Sequence, residues 1–436
     1  MITTIDLRGT QPSSADYLNL VPRPDVDVSV ATTIAAQLID AVRQDGVIAL
    51  LEQAERFDRV RPQRVRVSAE EIGRSVDALS VSVRDALEES IDRVRRATKA
   101  QVPEDTVTRL GPGASIVQRW QPVARAGLYV PGGKAPLASS VVMNAVPAQV
   151  AGVRSIALAS PPQKDFGGSV HPTILGAAGL LGLDEVYAIG GAGAIGALTW
   201  GVEEIGLEPV QIITGPGNVY VAAAKRVVRG RVGIDSEAGT TEILVIADAA
   251  ADHRFVAADL LSQAEHDEAA AAVLVTDSAE FADRVLAELS DRVTRIRHST
   301  RAATALDGQQ SAIVLVDELA QAAAFSNAYG PEHLEIQTED PDAVLALIEN
   351  AGAIFVGPSA PVSLGDYLAG SNHVLPTGGQ ARFSSGLGAF SFLRPQQVIR
   401  YDRAALQQVV DPIVALATAE NLPAHGEAVT ARFEHG

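Results

Sequence analysis

Six charged side chains, Lys134, Arg154, Lys164, Asp165, Asp184 and Glu185, are all that the 77 positions from 126 to 202 contain. A stretch so poor in charge has no face to offer to water along most of its length. Short apolar runs in and just after it, SIALAS, EVYAIG and VQIITG, alternate with Ala/Gly-rich helical stretches. Strands of that kind alternating with helices indicate a parallel sheet covered on both faces. Two uncharged runs, 135–153 and 166–183, approach the length of a membrane span. The first holds Pro136, Ser139, Ser140, Asn144, Pro147 and Gln149, and the second holds His171 and several glycines, so both read as α/β interior.

A second series begins at EILVIAD (242–248) and continues through AAVLVTD (271–277), SAIVLVD (311–317), HLEIQ (333–337) and AIFVG (353–357). The handedness rule for parallel crossovers makes this another doubly wound sheet. The fold expected is α/β, with two incomplete Rossmann-like domains, an N-terminal arm and a helical C-terminal tail. The divisions expected are an arm over 1–25, one domain from 26–128 with 238–386, a second over 129–237, and a tail over 387–436. The arm ends in VPRPD and shows no periodicity. Helices are expected from about 31 to 101, with Ser68 and Glu71 at capping-box spacing and Val83, Leu87, Ile91 and Val94 forming one apolar stripe. From about 395 the strand pattern ceases, and RAALQQVVDPIVALATAENL reads as helix.

The formal charge of −18 is repelled by phosphate backbones and anionic lipid, and only 4% of residues are aromatic, so nucleic acids and membrane surfaces are not expected partners. With no cysteine, disulfides, thiolate metal sites and thiol nucleophiles are excluded together. Asp6 and Arg8 fall where a signal peptide needs its apolar core, and a cytoplasmic location is expected.

Several motifs carry candidate chemistry. Gly191, Gly193 and Gly196 form G-x-G-x-x-G after a strand, but no acid ends the next strand to hold a ribose, so close packing competes with dinucleotide binding. Gly215–Pro216–Gly217–Asn218 runs from strand to helix, where Asn218 either caps the helix or helps bind an anion. Gln263 and His266 lie at i and i+3, so both point to one face, either solvated or ready to converge on an ion. A metal would then need distant partners such as Asp366, His373 or His425. Glu332 and His333 sit at a Gly–Pro turn entering a strand, either a charged turn or two proton-transfer groups. The polar loop SLGDYLAGSNHVLPT (363–377) follows a strand, a usual place for ligands in α/β proteins. On the bare residues, a zinc hydrolase with Glu332 as base and a non-enzymatic binding module stand beside a dehydrogenase.

Taken together, YVPGG (129–133), GPGN (215–218), SQAEH (262–266), GPEH (330–333), LAGSNHVLPT (368–377) and AENLPAH (419–425) closely resemble histidinol dehydrogenases, in order across nearly the whole chain. The resemblance implies oxidation of L-histidinol to L-histidine in two NAD-dependent steps through bound histidinal, by a zinc-containing homodimer. It implies Gln263, His266, Asp366 and His425 as zinc ligands, the last from the partner's tail, and Glu332 and His333 as the acid–base pair. Substrate contacts are implied at Thr241, Gln263, His266, His333, Asp366, Glu420 and His425, and cofactor contacts at Tyr129, Gly193 and Asn218. Many members of the family have Gln at the position of Gly193 and Ser at that of Thr241. Backbone contact alone is therefore expected at Gly193, while Thr241 keeps a hydroxyl. Without a thiol, the aldehyde must be oxidised as its hydrate.

Overall fold

The computed structural model describes residues 2–20, 23, 28–132, 135–237 and 239–434. Gly133 of the YVPGG motif and most of VPRPD lie outside them. The chain divides into two compact units, one of residues 1–101 and 124–392 and the other of 102–123 and 393–436.

The first unit starts with β1 (Thr3–Asp6), α1 (Ser14–Leu20), α2 (Val28–Asp45), α3 (Val47–Gln53), α4 (Ala69–Asp77) and α5 (Val81–Lys99). In the second unit, β2 (Thr106–Gly111) and β3 (Ala114–Pro122) form an antiparallel pair. The first unit resumes with β4 (Arg125–Tyr129), α6 (Ala138–Ala151), β5 (Ser155–Ser160), α7 (Pro172–Leu180), β6 (Val186–Ala188), α8 (Gly191–Trp200), β7 (Ile212–Thr214), α9 (Val219–Val228) and β8 (Gly233–Ile234). These strands make a wholly parallel sheet of order β6-β5-β4-β7-β8.

There follow β9 (Glu242–Ala247), α10 (His253–Ala264), β10 (Ala271–Thr276), α11 (Ala279–Arg292), α12 (Ser299–Asp307), β11 (Ala312–Leu315), α13 (Leu319–Tyr329), β12 (His333–Gln337), α14 (Pro341–Leu345), β13 (Ala353–Val356) and α15 (Val362–Tyr367). They build a parallel six-stranded sheet, β1-β11-β10-β9-β12-β13. Leaving β1 aside, both sheets have the order 3-2-1-4-5, with the reversal between β4 and β7 in one and between β9 and β12 in the other. The central strands β9, β10 and β11 are buried throughout, which is why their sequences are continuous apolar runs and do not alternate.

Three expectations need correction. Residues 1–25 are not simply an arm: TTID pairs in parallel with β11 as the sheet's edge strand, and Tyr17 of α1 packs edge-on against Phe325. Residues 28–53 do not join the domain of 238–386. Ala31, Ala35, Ile39 and Leu50 share a core with Tyr129, Ala157, Ile195 and Val221, so α2 and α3 cover the first sheet. The capping box holds in half, Ser68 accepting from the Glu71 N–H.

The third correction concerns the tail of the second unit. It begins with β14 (Leu393–Tyr401), antiparallel to β3 along nine residues, before α16 (Arg403–Gln407), α17 (Val410–Ala419) and α18 (Pro423–Thr430). Polar residues such as Gln396, Arg394 and Arg400 mask this strand, because a three-stranded sheet leaves much of it exposed. The exchange of backbone hydrogen bonds with β3 fixes it without an apolar pattern. Glu420 closes α17 and His425 lies in α18, both exposed. Among the described residues no helix is long and apolar enough to cross a membrane.

Candidate active site

The first residues of β9 and β12 bring the acid–base candidates together. In the parallel register His333 lies beside Ile243, so the residues entering each strand, Thr241–Glu242 and Glu332, meet at the amino ends. Glu332 Oε2 accepts from the Thr241 hydroxyl at 2.7 Å and from the Glu242 N–H at 2.9 Å. Burial pushes the Glu332 carboxyl up to about 7, against the pull of His333 and these two donors. His333 Nδ1 lies 3.0 Å from the Glu242 carbonyl and 3.5 Å from Glu332 Oε2. A carbonyl only accepts, so in the neutral ring Nδ1 carries the hydrogen and Nε2 presents its lone pair. Both side chains are buried, which makes them an oriented pair and rules out the solvated charged turn.

Gln263 ends α10 on the same side, buried, its amide nitrogen donating to Thr241 Oγ1 at 2.5 Å. Thr241 thus links Gln263 to Glu332, and the Gln263 amide oxygen is the atom left to face a cation. His266 follows in the loop, and Asp366 lies in α15. The charges of Asp366, His333 and His266 all act on His373. His373 itself is engaged at both ring nitrogens, Nδ1 with the Asp366 carbonyl at 3.0 Å and Nε2 with Ser140 Oγ at 3.1 Å. With both nitrogens engaged it joins the loop to α6 and has no lone pair free for a metal.

The described residues hold no ready group of three or more His, Cys, Asp or Glu able to hold a metal. The donors Gln263, His266 and Asp366 nevertheless fit a borderline dication in kind: an oriented amide oxygen, an imidazole and a carboxylate, with a fourth donor still to come.

The other half of the site is at the opposite end of the other sheet. Tyr129 ends β4, Gly190 caps α8 and Asn218 caps α9, all at carboxyl ends of strands, where α/β sheets bind ligands. Gly215 has φ 120°, and a Cβ there would strike the Tyr129 carbonyl, so only glycine lets β7 pass so closely into the turn. The buried Lys225 donates to the Gly215 carbonyl at 3.0 Å, and Asp235, its ion-pair partner, accepts the Gly215 N–H at 2.7 Å. Sequence reasoning missed this pair; a lysine within the apolar helix AAAKR is its one local signal.

Asn218 takes the capping alternative, its Oδ1 accepting from Tyr220 and Val221. Tyr129 is buried, its hydroxyl accepting from Gly191 at 3.1 Å, and burial pushes it up to about 12. Gly193 is not in a turn: Gly191, Gly193 and Gly196 all lie inside α8. A Cβ at Gly193 would meet the Gln53 side chain, and one at Gly196 would press on Ile39. Gly193 and Gly196 therefore serve close packing of α8 on α3 and α2, whereas Gly191, at φ 60°, has nothing within 4 Å of a Cβ and opens the helix.

The loop at 371–377 joins the two halves. Asn372 donates to the Met143 carbonyl at 2.6 Å, and Thr377 Oγ1 accepts from the Gly239 N–H at 2.5 Å. Asn144 in turn receives the Thr214 hydroxyl at 2.8 Å, so α6 ties the end of β7 to the loop beside His333.

Beneath the site, Glu335 and Asp259 form a buried carboxyl pair, bridged by the Gln337 amide at 3.0 and 3.2 Å. Glu335 also accepts the Val362 N–H at 2.8 Å, tying β12 to the start of α15. Burial, and then the Asp259 charge, pushes Glu335 up to about 8. The folded chain thus keeps a proton that the unfolded chain releases near 4.5, so this contribution to stability is complete below about 4.5 and is lost as pH rises to about 8. Thermal unfolding across that range is expected to show a falling Tm that Glu335→Gln flattens. An unchanged slope in the variant would remove Glu335 as its source.

Two sheets of dinucleotide-fold order, one ending in glycine-rich turns and the other opening on a buried acid–imidazole pair, define an α/β enzyme of dehydrogenase architecture. A crystal structure of an acetylating aldehyde dehydrogenase from Geobacillus thermoglucosidasius shares the fold, with TM-score 0.50, 14% identity, and 89% of this chain and 96% of that one covered. The chain belongs to the histidinol dehydrogenase family, whose model matches residues 21–433. Histidinol dehydrogenase of Leifsonia xyli subsp. xyli is 74% identical over 99% of both chains. A crystal structure of histidinol dehydrogenase from Elizabethkingia anophelis aligns with TM-score 0.93 at 34% identity, covering 99% of this chain and 98% of that one.

Proposed function

We propose that Glu332 and His333 are the acid–base pair with which this member of the histidinol dehydrogenase family oxidises L-histidinol to L-histidine through bound histidinal. The observation that carries this reading is the orientation of His333, whose Nδ1 is held by the Glu242 carbonyl. Its Nε2 then removes the hydroxyl proton in the first oxidation. Glu332, tied at Oε2, has Oε1 to draw a proton from water as it adds to the aldehyde, giving the hydrate that chemistry without cysteine requires. His333, once its first proton has passed to solvent, takes the hydrate's hydroxyl proton in the second oxidation. NAD, when bound, would supply the hydride acceptor for both oxidations, and zinc, when bound, would supply a fixed positive centre that orients the substrate.

Gln263, His266 and Asp366 hold the metal together with His425 of the partner subunit, and Thr241, His333 and Glu420 of the partner subunit complete the substrate contacts. Tyr129, Gly193 and Asn218 would contact the cofactor, Gly193 through its backbone only and Asn218 through its amide nitrogen. The enzyme works in the cytoplasm as a homodimer. The exposure of Glu420 and His425 supports their use by a second chain. NADH formation from histidinol and NAD tests the activity, because neither a hydrolase nor a binding module makes NADH.

Sharing of the site gives a further expected result. A mixed dimer of Glu332→Gln with His425→Ala should recover activity, because exchanged tails leave one site with both lesions and the other with none. Purified, folded heterodimers as inactive as their parents would overturn the exchange.

A further inference from the structure

Glu242 touches both members of the acid–base pair through its backbone, donating to Glu332 and facing His333 Nδ1. Its own carboxylate is buried and held from three sides. Arg23 donates to it from Nε at 2.8 Å and from Nη2 at 3.2 Å, the Tyr329 hydroxyl donates at 3.2 Å, and the Gly378 N–H at 3.1 Å. Arg23 is itself locked in place. Its Nη2 donates to the Tyr329 carbonyl at 2.5 Å, and its guanidinium carbon lies 3.8 Å from the centre of the Tyr329 ring.

A forked guanidinium on a buried carboxylate fixes both distance and angle, which a single point charge does not. We propose that Arg23 is a positioning residue of the catalytic centre, holding Glu242 so that its peptide groups orient Glu332 and His333 and cancelling its charge beside them. Arg23 touches neither reacting group. It acts through Glu242, and the inference rests on Glu332 and His333 being the acid–base pair.

The charged and titratable groups around Glu332 are His333 on its own strand, Glu242 on β9, Tyr329 at the end of α13, and Arg23 reaching it through Glu242. Beyond them lies His373, on which the charges of Asp366, His333 and His266 act. Without Arg23 the Glu242 charge stands uncompensated, and a like charge makes ionisation of Glu332 harder. Arg23→Met should therefore move the acid limb of kcat/KM upward by roughly one pH unit, a loss of about tenfold in rate below the limb. The double variant Arg23→Met/Glu242→Gln should return the limb toward its original position. Arg23→Lys keeps the charge without the fork, so it should lower kcat with little displacement of the limb.

A merely structural arginine would lower the Tm and leave the limb where it was. An unmoved limb in folded Arg23→Met overturns the proposal. Should that variant not fold, Glu242→Gln alone must move the limb downward, and a limb that stays put is equally fatal. The same profile of histidinal oxidation taken on Glu332→Gln separates the two levels: a rate and profile unchanged from the parent's overturn the acid–base reading and this proposal with it. A profile that changes there but ignores Arg23 overturns the proposal alone.

Discussion

Glu332→Gln is expected to slow the oxidation of histidinal far more than that of histidinol. The amide keeps the shape of the side chain and can still receive Thr241 and Glu242 at one oxygen, so the neighbouring geometry is retained. What it cannot do is accept a proton from water. Loss of a positioned general base typically costs on the order of 10²–10⁴ in rate, and that cost should fall on the half-reaction that adds water. The first half-reaction, in which His333 alone handles the proton, should change little by comparison. His333→Asn should damage both. Stopped-flow measurement of NADH formation from each substrate separates the steps, and equal slowing of the two would remove Glu332 from the role of water base.

The pH dependence has a fixed sign. With its carboxyl raised to about 7 by burial, Glu332 is a base only in the fraction ionised. Histidinal oxidation should therefore rise with pH through about 7 and level off above it. Thr241→Val removes a donor that favours the ionised form, so its limb should lie higher than that of the parent. Thr241→Ser should leave it in place.

How far this site was legible in the sequence depended on the distance over which each residue acts. The strands of both sheets were legible because buried parallel strands need nothing but apolar residues, and EILVIAD and AAVLVTD have little else. The edge strand TTID and the exposed β14 were not, since partner hydrogen bonds and no apolar pattern hold them. Glu332, His333, Gln263 and His266 stood out as local clusters. Arg23 and Glu242 did not, because 219 positions separate them and neither looks unusual among its neighbours. The use of opposite sheet ends was hidden for the same reason. The usual rule points to carboxyl ends, which suits Tyr129 and Asn218 but not Glu332, placed where β12 begins.

Metal removal is expected to abolish turnover, and the two candidate ligands on and after α10 should answer differently to mutation. His266 offers an imidazole, a strong donor for zinc, whereas Gln263 offers a neutral amide oxygen. His266→Ala should therefore lose most of the bound zinc, more than the ~10–100-fold affinity change that follows disruption of a ligand's own support. Gln263→Ala should keep more metal but lose the donor that fixes Thr241, and with it the placement of the Thr241 hydroxyl on Glu332. Its rate should thus fall out of proportion to its zinc content. Metal content by elemental analysis beside NADH formation for each purified variant checks both statements. Zinc restored after chelation should return activity to the parent and to Gln263→Ala in part, but not to His266→Ala at comparable metal concentration. Undiminished turnover by protein shown to contain no metal would reject Gln263, His266 and Asp366 as a metal site and leave the Gln263–Thr241–Glu332 chain as a means of orienting the base alone.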